Sequence, residues 1–258
     1  MELVALLGQR LRTRLAYRGD VVAGLLSGVL LAVVGPVFIT TVFQHVSSLG
    51  RWTAPEVLFV WGFADTVSGC FYVVFQGLYV LNRRYILAGE LDRLLVRPVD
   101  PYAQLLLDNL AVEELPSVFL GLVVIAIALA WGLPEPEPWR WLLLPVWIAG
   151  GLATLGGVVT AIASLGFHLH HRGTAVGLVM QLTSFSRYPL DLFGSPLRWL
   201  LTAVLPFGFA GFYGACLFLP RPELQAYAWA TPAVGALALV GGYAAWRVGL
   251  RRYTSVGG

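Results

Sequence analysis

Long apolar runs separated by short polar segments dominate the pattern of this chain. Six runs can be delimited: residues 21–43, 57–81, 111–132, 141–166, a fifth that starts at 173 and ends near the break RYPLDLFGSP, and 230–247. About 20 helical residues cross a hydrocarbon core of ~30 Å, so runs of this kind are typical of transmembrane helices. The pattern therefore predicts an all-α integral membrane protein with six transmembrane helices.

The composition agrees with a membrane protein and excludes several classes of soluble enzyme. Hydrophobic residues make up 58% of the 258 residues and charged residues only 12%, which is more apolar surface than a soluble domain could hide from water. All 17 basic residues are Arg, so the chain lacks the Lys of a phosphate-binding loop or of a Schiff-base enzyme. We therefore expect one transmembrane domain, residues 1–258, that binds no cofactor itself.

The first residues have the pattern of an amphipathic helix over 2–18. Leucines recur there every four residues, at 3, 7, 11 and 15, among several arginines. Such a helix suits an anionic membrane surface, and the same arginines would also mark the flank of a first span that faces the cytoplasm. The interleaved Leu and Arg residues do not form the compact apolar region of a signal peptide.

A seventh apolar stretch, residues 197–219, is interrupted by Pro206 and Gly208. If it enters and leaves on the outer side, twelve arginines lie in the cytoplasm and five outside; as a true span it gives ten and seven. The positive-inside rule favours the first arrangement. The sequence therefore predicts an outer-side re-entrant hairpin before the last helix, with both termini cytoplasmic.

The second run carries its polar residues on one helical face. Asp65, Gly69, Tyr72, Gln76 and Tyr79 follow one another at spacings of four and three residues. An acid inside a membrane is a candidate functional residue, which makes Asp65, Tyr72 and Gln76 candidates for a transport pathway. Two alternatives stay open. Asp65 reaches the outer interface, or these polar side chains form hydrogen bonds with one another across helices.

Small residues and histidines give two weaker signals. Ala149, Ala153, Gly157 and Ala161 form a smooth stripe at four-residue spacing, which favours close helix packing in lipid. His168, His170 and His171 cluster at the end of the fourth run, but 168 and 171 share a face without 170, and no second ligand cluster is near in sequence. Polar residues at a cytoplasmic interface are the favoured interpretation, and no metal site is predicted.

The loop between the second and third runs, residues 82–109, contains the compact charged segment GELDRLLVRPVDP. Leu87, Leu91, Leu94 and Leu95 would share the apolar face of a short helix, with Glu90, Arg93 and Arg97 on the other side and Pro98 as its end. A short amphipathic helix with a rigid stop is typical of a docking element, either on the membrane interface or in the groove of a partner protein.

This segment resembles the hallmark of bacterial type-2 ABC exporter permeases, in the subfamily that shares Gly-Glu-Leu-Asp-x-x-Leu-x-Arg-Pro after the second span. The matching residues are Gly89, Glu90, Leu91, Asp92, Leu95, Arg97 and Pro98. The N-terminal interfacial helix, six spans, Tyr188-Pro189 and the interrupted stretch before the last span follow the same plan, so the resemblance covers nearly the whole chain.

The resemblance implies a permease that pairs with a second permease, identical or different, and with two copies of a separate cytoplasmic ATPase that binds ATP and Mg²⁺. The segment would then be the coupling helix. Leu91, Leu94 and Leu95 would anchor it in the ATPase; Glu90, Asp92, Arg93 and Arg97 would set its register, and Pro98 would fix the exit of the chain. The location implied is the inner membrane of a bacterium.

Three functions therefore stand side by side. The first is the membrane subunit of an ATP-driven exporter of a lipid-like, amphiphilic or drug-like molecule. The second is an ion-coupled secondary transporter that uses Asp65, although no inverted repeat is visible. The third is an intramembrane enzyme, for which no catalytic constellation is found: the chain has neither GxSG nor HExxH. Association with an ATPase separates the first from the other two.

Overall fold

The computed structural model describes residues 30, 33–169 and 175–253. The predicted interfacial helix 2–18 and most of the first run lie outside the described residues. Within them the chain forms helices and turns, and no β-strand. The α-helices are α1 (Val33–Phe43), α2 (Ala54–Phe75), α3 (Gly77–Val80), α4 (Leu91–Leu95), α5 (Pro101–Asp108), α6 (Leu115–Ala130), α7 (Pro138–Trp141), α8 (Leu144–Ser164), α9 (Gly166–Leu169), α10 (Ala175–Thr183), α11 (Ser195–Trp199), α12 (Phe207–Ala210), α13 (Phe212–Ala215) and α14 (Gln225–Leu250).

Short helices of other types connect these elements. Two π-helical turns cover Leu81–Ile86 and Leu200–Val204. The 3₁₀ turns are Val112–Glu114, Ser184–Arg187, Leu190–Leu192, Cys216–Phe218 and Pro222–Leu224.

Four of the described helices are long and apolar enough to cross a membrane: α2, α6, α8 and α14, the last three with adjoining turns. They correspond to the second, third, fourth and last apolar runs. The second run is shorter than predicted, because α2 ends at Phe75 and the chain bends at Gln76. In the first and fifth runs the described helices are α1 and the nine-residue α10, so the six-span count stays a prediction.

Helices α2 and α8 form the centre of the bundle. Helix α2 is the most deeply buried long helix and α8 the second, whereas α6 and α14 expose most of their surface. Helix α2 packs along α6 on one side and against α8 on the other, and α8 packs along α14. The exposed faces of α6 and α14 are apolar, as expected for helices that face lipid or another subunit.

Glycines allow a close helix contact between α8 and α14. A Cβ atom on Gly157 would overlap the backbone of Ala238, and one on Gly242 would overlap the carbonyl of Gly157. Seven residues earlier in both helices, a Cβ atom on Gly235 would likewise overlap the carbonyl of Gly150. Small residues allow this approach because lipid offers no competing hydrophobic gain.

The predicted stripe of small residues was therefore largely wrong in its register. Of its four members only Gly157 is buried: Ala149 is exposed, and Ala153 and Ala161 are half-buried. The four-residue spacing follows a face that is offset from the true contact, which repeats every seven residues through Gly150 and Gly157.

The bundle has two ends. The loop end carries residues 76–114, together with 165–169 and 251–253; the far end carries residues 44–53, 131–143 and 184–224. Stretch 197–219 is broken into short helices and is almost wholly buried from Phe207 onward. A Cβ on Gly211 would meet Ala64 of α2, about 15 Å from the start of that helix at 1.5 Å per residue.

Candidate coupling site and pathway residues

The loop at the loop end turns sharply at Gly89, just before the predicted docking helix. Gly89 has a φ of +75°, in the left-handed region that favours glycine. The Nε atom of Arg84 lies 2.7 Å from Oε2 of Glu90, and this ion pair spans the turn. The hydrogen bond from Arg84 to Glu90 raises the pKa of Arg84 above its ordinary value. Glycine, arginine and glutamate together fix the direction in which α4 leaves the loop.

Helix α4 is shorter than the sequence predicts. It covers five residues, Leu91–Leu95, with Glu90 before it, and the chain leaves the helix at Val96, two residues ahead of Pro98. The positive φ of Gly89 prevents the helix from extending back to Leu87, and Pro98 prevents it from continuing forward. The helix thus ends before Pro98, and the role of Pro98 in fixing the exit of the chain stays a prediction.

The leucines of α4 divide into an inner and an outer set. Leu91 and Leu94 are 0% and 3% exposed, because they pack into the chain's own core. Leu95 and Val96 are 43% and 84% exposed. The expectation that Leu91 and Leu94 anchor a partner therefore needs correction, since their side chains are already covered. Leu95 remains available for docking, and Val96 joins it.

The charged residues of the segment differ in exposure. Arg93, Arg97 and Pro98 are exposed, while Asp92 is half-buried. Asp92 lies next to Tyr253, beyond the end of α14, and burial together with this carboxylate raises the pKa of Tyr253 to about 12. Asp92 thus faces the bundle, and Arg93 and Arg97 are exposed cations of this segment.

Gln104 holds the segment onto α5. Its side chain is buried, and its Nε2 atom donates to the backbone carbonyls of Leu94, at 3.2 Å, and Val99, at 2.6 Å. One amide therefore binds the last turn of α4 and the stretch after Pro98 at once. A movement of α4 must carry α5 with it unless both hydrogen bonds break.

Two further side chains connect the loop to α8 and α14. Asp100 accepts a hydrogen bond from the backbone N–H of Ala103, at 3.0 Å, which caps α5, and another from the Tyr243 hydroxyl of α14, at 2.9 Å. Tyr102 places its hydroxyl 2.7 Å from Oγ1 of Thr160 in α8. Burial raises the pKa of Tyr102 to about 12, so this hydroxyl keeps its proton at neutral pH.

These linking residues were missed by the sequence analysis. Asp100-Pro101 is a recognisable helix start, because an acidic cap followed by proline suits the first turn. That signal predicts α5, but it does not identify Tyr243 or Thr160 as contacts, since both are distant in the chain.

Of the pathway candidates, Asp65 is paired with an arginine. Its Oδ1 atom lies 3.2 Å from Nη2 of Arg187, and the Arg187 guanidinium lies 5.6 Å from the ring centre of Trp61. Asp65 is buried, and its Oδ2 has no hydrogen-bond partner among the described residues. A buried acid that is paired with an arginine is a poor carrier for a transported ion. To bind the ion, Asp65 would have to leave Arg187, and the charge of the buried arginine would then be uncompensated.

The other residues on the helical face of Asp65 either pack against a neighbouring helix or lie near the bend at Gln76. A Cβ on Gly69 would come within 2.8 Å of the Val118 backbone N, so α6 covers this position. Tyr72 and Tyr79 stack with ring centres 6.1 Å apart, and both are half-buried, as is Gln76 at the end of α2. Tyr72 therefore contacts Tyr79, whereas Asp65 contacts Arg187.

The histidine cluster is described only at His168, which is exposed at the loop end; His170 and His171 lie outside the described residues. Across residues 30, 33–169 and 175–253, no group of three or more His, Cys, Asp or Glu side chains is placed to hold a metal. Cys70 and Cys216 are unpaired, half-buried and buried respectively.

The chain matches a known family over residues 29–257, described as ABC-2 family transporter protein. The match covers nearly the whole sequence, so the chain belongs to the ABC-2 family of transporter membrane proteins. Comparison with curated protein sequences found no significant match, and neither did comparison with solved structures.

Proposed function

We propose that this chain is the permease subunit of an ATP-driven exporter in the inner membrane of a bacterium. It works with two copies of a cytoplasmic ATPase, which bind ATP and Mg²⁺, and with a second permease subunit. Membership of the ABC-2 family supports a transport role. The observation that carries the ATPase partnership is the exposed tip of the loop end, formed by Leu95, Val96 and Arg97 next to the buried Leu91 and Leu94.

The shape of this tip suits docking into a groove. Leu95 and Val96 offer two adjacent apolar side chains, and Arg93 and Arg97 flank them with positive charge. Apolar anchors supply affinity, whereas charges at a rim mainly set specificity and orientation. Soluble partners with an acidic rim around an apolar pocket are the expected class, and an ATPase of this kind is one such partner.

The contacts behind the tip give a route for movement. Closure of the ATPase dimer would push α4; Gln104 would carry the push to α5, and the Tyr102–Thr160 and Asp100–Tyr243 hydrogen bonds would carry it to α8 and α14. Because glycines lock α8 against α14, these two helices are expected to move as one body.

The far end then faces outward in this proposal, with stretch 197–219 as the re-entrant hairpin and both termini in the cytoplasm. The arginine distribution supports this orientation. Buried backbone of this kind is compatible with membrane depth because protein covers it. Outward transport of an amphiphilic, lipid-like or drug-like molecule would follow.

The experiment is co-purification from the native membrane followed by ATP hydrolysis in liposomes. We expect an ATPase to elute with the tagged permease, and the complex to hydrolyse ATP in the presence of Mg²⁺. A permease that elutes without any nucleotide-hydrolysing partner, yet moves substrate when an ion gradient is imposed, would replace this proposal by the ion-coupled alternative.

A further inference from the structure

Exposed tryptophan and tyrosine side chains are confined to one end of the bundle. Among residues 30, 33–169 and 175–253, the exposed ones all lie at the far end or in the first five residues of α14: Trp131, Trp139, Trp199, Tyr227 and Trp229. The described tryptophans and tyrosines near the loop end are buried or half-buried, and the exposed residues there include Arg83, Arg84, Arg93, Arg97, Arg251 and Arg252. Tryptophan and tyrosine concentrate at membrane–water interfaces because an apolar ring carries a polar N–H or O–H group.

Two long helices place this aromatic level about one hydrocarbon thickness away from the loop end. Trp229 precedes Arg247 by 18 residues on α14, and Trp131 follows Glu114 by 17 residues along α6. At a rise of 1.5 Å per residue these separations are about 27 and 26 Å, close to the ~30 Å of a hydrocarbon core. Both helices therefore place the far boundary of the hydrocarbon at the aromatic level.

The surface between the two levels is apolar. The exposed residues of α6 between 115 and 130, and of α14 between 233 and 244, carry hydrocarbon side chains or, at Gly241, none. Charged residues reappear beside the aromatic ones, since Arg198 directly precedes Trp199 and Glu223 lies four residues before Tyr227, and both are exposed. Exposed charges are costly inside hydrocarbon, so the aromatic level lies where water or headgroups begin.

Trp139 and Trp229 connect two elements at this level. Their rings stack with centres 6.3 Å apart and an interplanar angle of 17°, which joins α7 to the start of α14. The indole N–H of Trp139 donates to Oε2 of Glu137 at 2.7 Å, and this carboxylate is itself exposed. Two half-exposed rings therefore border a hydrated carboxylate, an arrangement that suits the boundary between acyl chains and headgroups.

We propose that the five exposed side chains form an aromatic belt that holds the far end in the lipid headgroup layer. Helix α11, which contains Trp199, then lies in this layer, and the re-entrant stretch turns inward after it. The belt is independent of the ATPase partnership and of the transport direction, because aromatic belts occur at both membrane interfaces.

The test measures tryptophan fluorescence of the purified permease in phosphatidylcholine liposomes. The liposomes contain phosphatidylcholine with a nitroxide quencher either on its headgroup or near the end of an acyl chain, so the two lipids report depth. The difference between wild type and Trp199→Phe isolates Trp199, and Trp131→Phe isolates the residue at the end of α6; both side chains are more than half exposed and tolerant of change. We expect the headgroup nitroxide to quench each difference signal about twice as strongly as the deep nitroxide.

The matched control is Leu237→Trp, which adds an indole on an exposed side of α14, about 12 Å along the helix axis from Trp229. Its added signal should be quenched more strongly by the deep nitroxide. If the deep nitroxide quenches the signals of Trp199 and Trp131 equally or more strongly, these side chains lie in the hydrocarbon core and the belt is refuted. Signals that neither lipid quenches would refute it too, because water or another subunit would then surround these rings. The liposomes contain no ATPase, so failure of the ATPase partnership leaves every one of these outcomes unchanged.

Discussion

The hydroxyl of Tyr102 lies 2.7 Å from Oγ1 of Thr160, which joins the loop 82–109 directly to the central helix α8. Thr160 itself donates to the carbonyl of Gly156 at 2.6 Å, so the tyrosine is the donor in the pair. Both side chains are buried, at 8% and 0% exposed, and the bond is shielded from water. A shielded bond at this position can transmit force from the loop to the bundle.

A double-mutant cycle should detect this connection. We expect Tyr102→Phe to cost about 1 kcal/mol of the free energy of unfolding, and the same change in a Thr160→Val background to cost much less. For a chain of this size 1 kcal/mol corresponds to roughly 2–4 °C in Tm, which thermal unfolding in detergent resolves. In the ATPase complex, Tyr102→Phe should lower substrate-stimulated hydrolysis more than basal hydrolysis.

The control for this cycle is Tyr188→Phe, which removes a half-buried tyrosine hydroxyl at the far end. It should leave both the unfolding temperature and the stimulation factor close to wild type. If Tyr102→Phe and Thr160→Val prove strictly additive, the hydroxyl pair does not connect the two elements.

The contact between α8 and α14 predicts opposite effects for two adjacent glycines. Gly242→Ala would force a Cβ into the carbonyl of Gly157, so the helices must separate, and we expect a loss of several kcal/mol, the range of severe overpacking. A Cβ at Gly241 meets no atom of the described residues within 4 Å, so Gly241→Ala should stabilise α14 by about 0.5–1 kcal/mol through helix propensity alone. Thermal unfolding of the two purified variants gives the comparison; similar shifts for both would refute the close packing.

A buried ion pair at the far end should matter far more than an exposed one at the loop end. Arg221 donates from Nε and Nη2 to Glu56, at 2.8 and 2.7 Å, and its guanidinium lies 4.5 Å from the ring centre of Trp52. Arg221→Gln strands a buried carboxylate, which typically costs about 3–5 kcal/mol.

The comparison variant is Arg84→Gln, which breaks the half-exposed pair with Glu90 and should cost about 0–1 kcal/mol. Arg221→Lys should recover only part of the loss, because an ammonium group cannot reproduce the two-pronged contact. Chemical or thermal unfolding of the three variants decides; equal losses at Arg221 and Arg84 would show that the far-end pair is not desolvated.

The arginine distribution and the far-end position of α11 predict which residues an impermeant thiol reagent reaches. In a background without Cys70 and Cys216, a single cysteine at Ser195, which is exposed, should be labelled in intact cells. A single cysteine at Ser255 should be labelled only after the membrane is permeabilised. The reverse pattern would invert the proposed orientation and remove the loop end from the cytoplasm.

Local signals in the sequence predicted local structure well. Four apolar runs became the four long helices, and a short helix formed within the charged segment, because chain stiffness and hydrophobic length act on neighbouring residues. The long helices deviate mainly at their ends: α14 begins five residues before the predicted start and continues past Pro232, whose missing hydrogen bond the membrane helix tolerates.

Contacts between distant segments were not predictable in the same way. The face with Asp65 was visible in the sequence, but its partner Arg187 was not, because nothing near either residue specifies which helices become neighbours. The small-residue stripe failed for a related reason: α8 contains enough Gly and Ala for several faces, and only the position of α14 selects Gly150 and Gly157.

The amphipathic pattern of α4 likewise does not specify a contact, because an apolar face has the same sequence pattern whether it packs on its own chain or on a partner. The structure buries Leu91 and Leu94 and exposes Leu95 and Val96. Truncation of the inner leucine should therefore affect folding, and truncation of the outer pair should affect binding.

The last prediction separates these two roles. Leu91→Ala should cost about 2–5 kcal/mol of stability, as for other buried leucines, while the fraction that folds still binds the ATPase. Leu95→Ala with Val96→Ala should leave Tm within about 1 °C of wild type and weaken ATPase binding by 10-fold or more, since two lost anchors at ~1 kcal/mol each exceed the 1.4 kcal/mol of one decade. Pull-down of the ATPase with each purified variant, beside thermal unfolding, measures both effects. Leu237→Ala, an exposed leucine on α14 outside the loop end, controls for loss of apolar surface and should change neither. If the outer pair can be truncated without any loss of ATPase binding, α4 rests on lipid headgroups and the partner docks elsewhere.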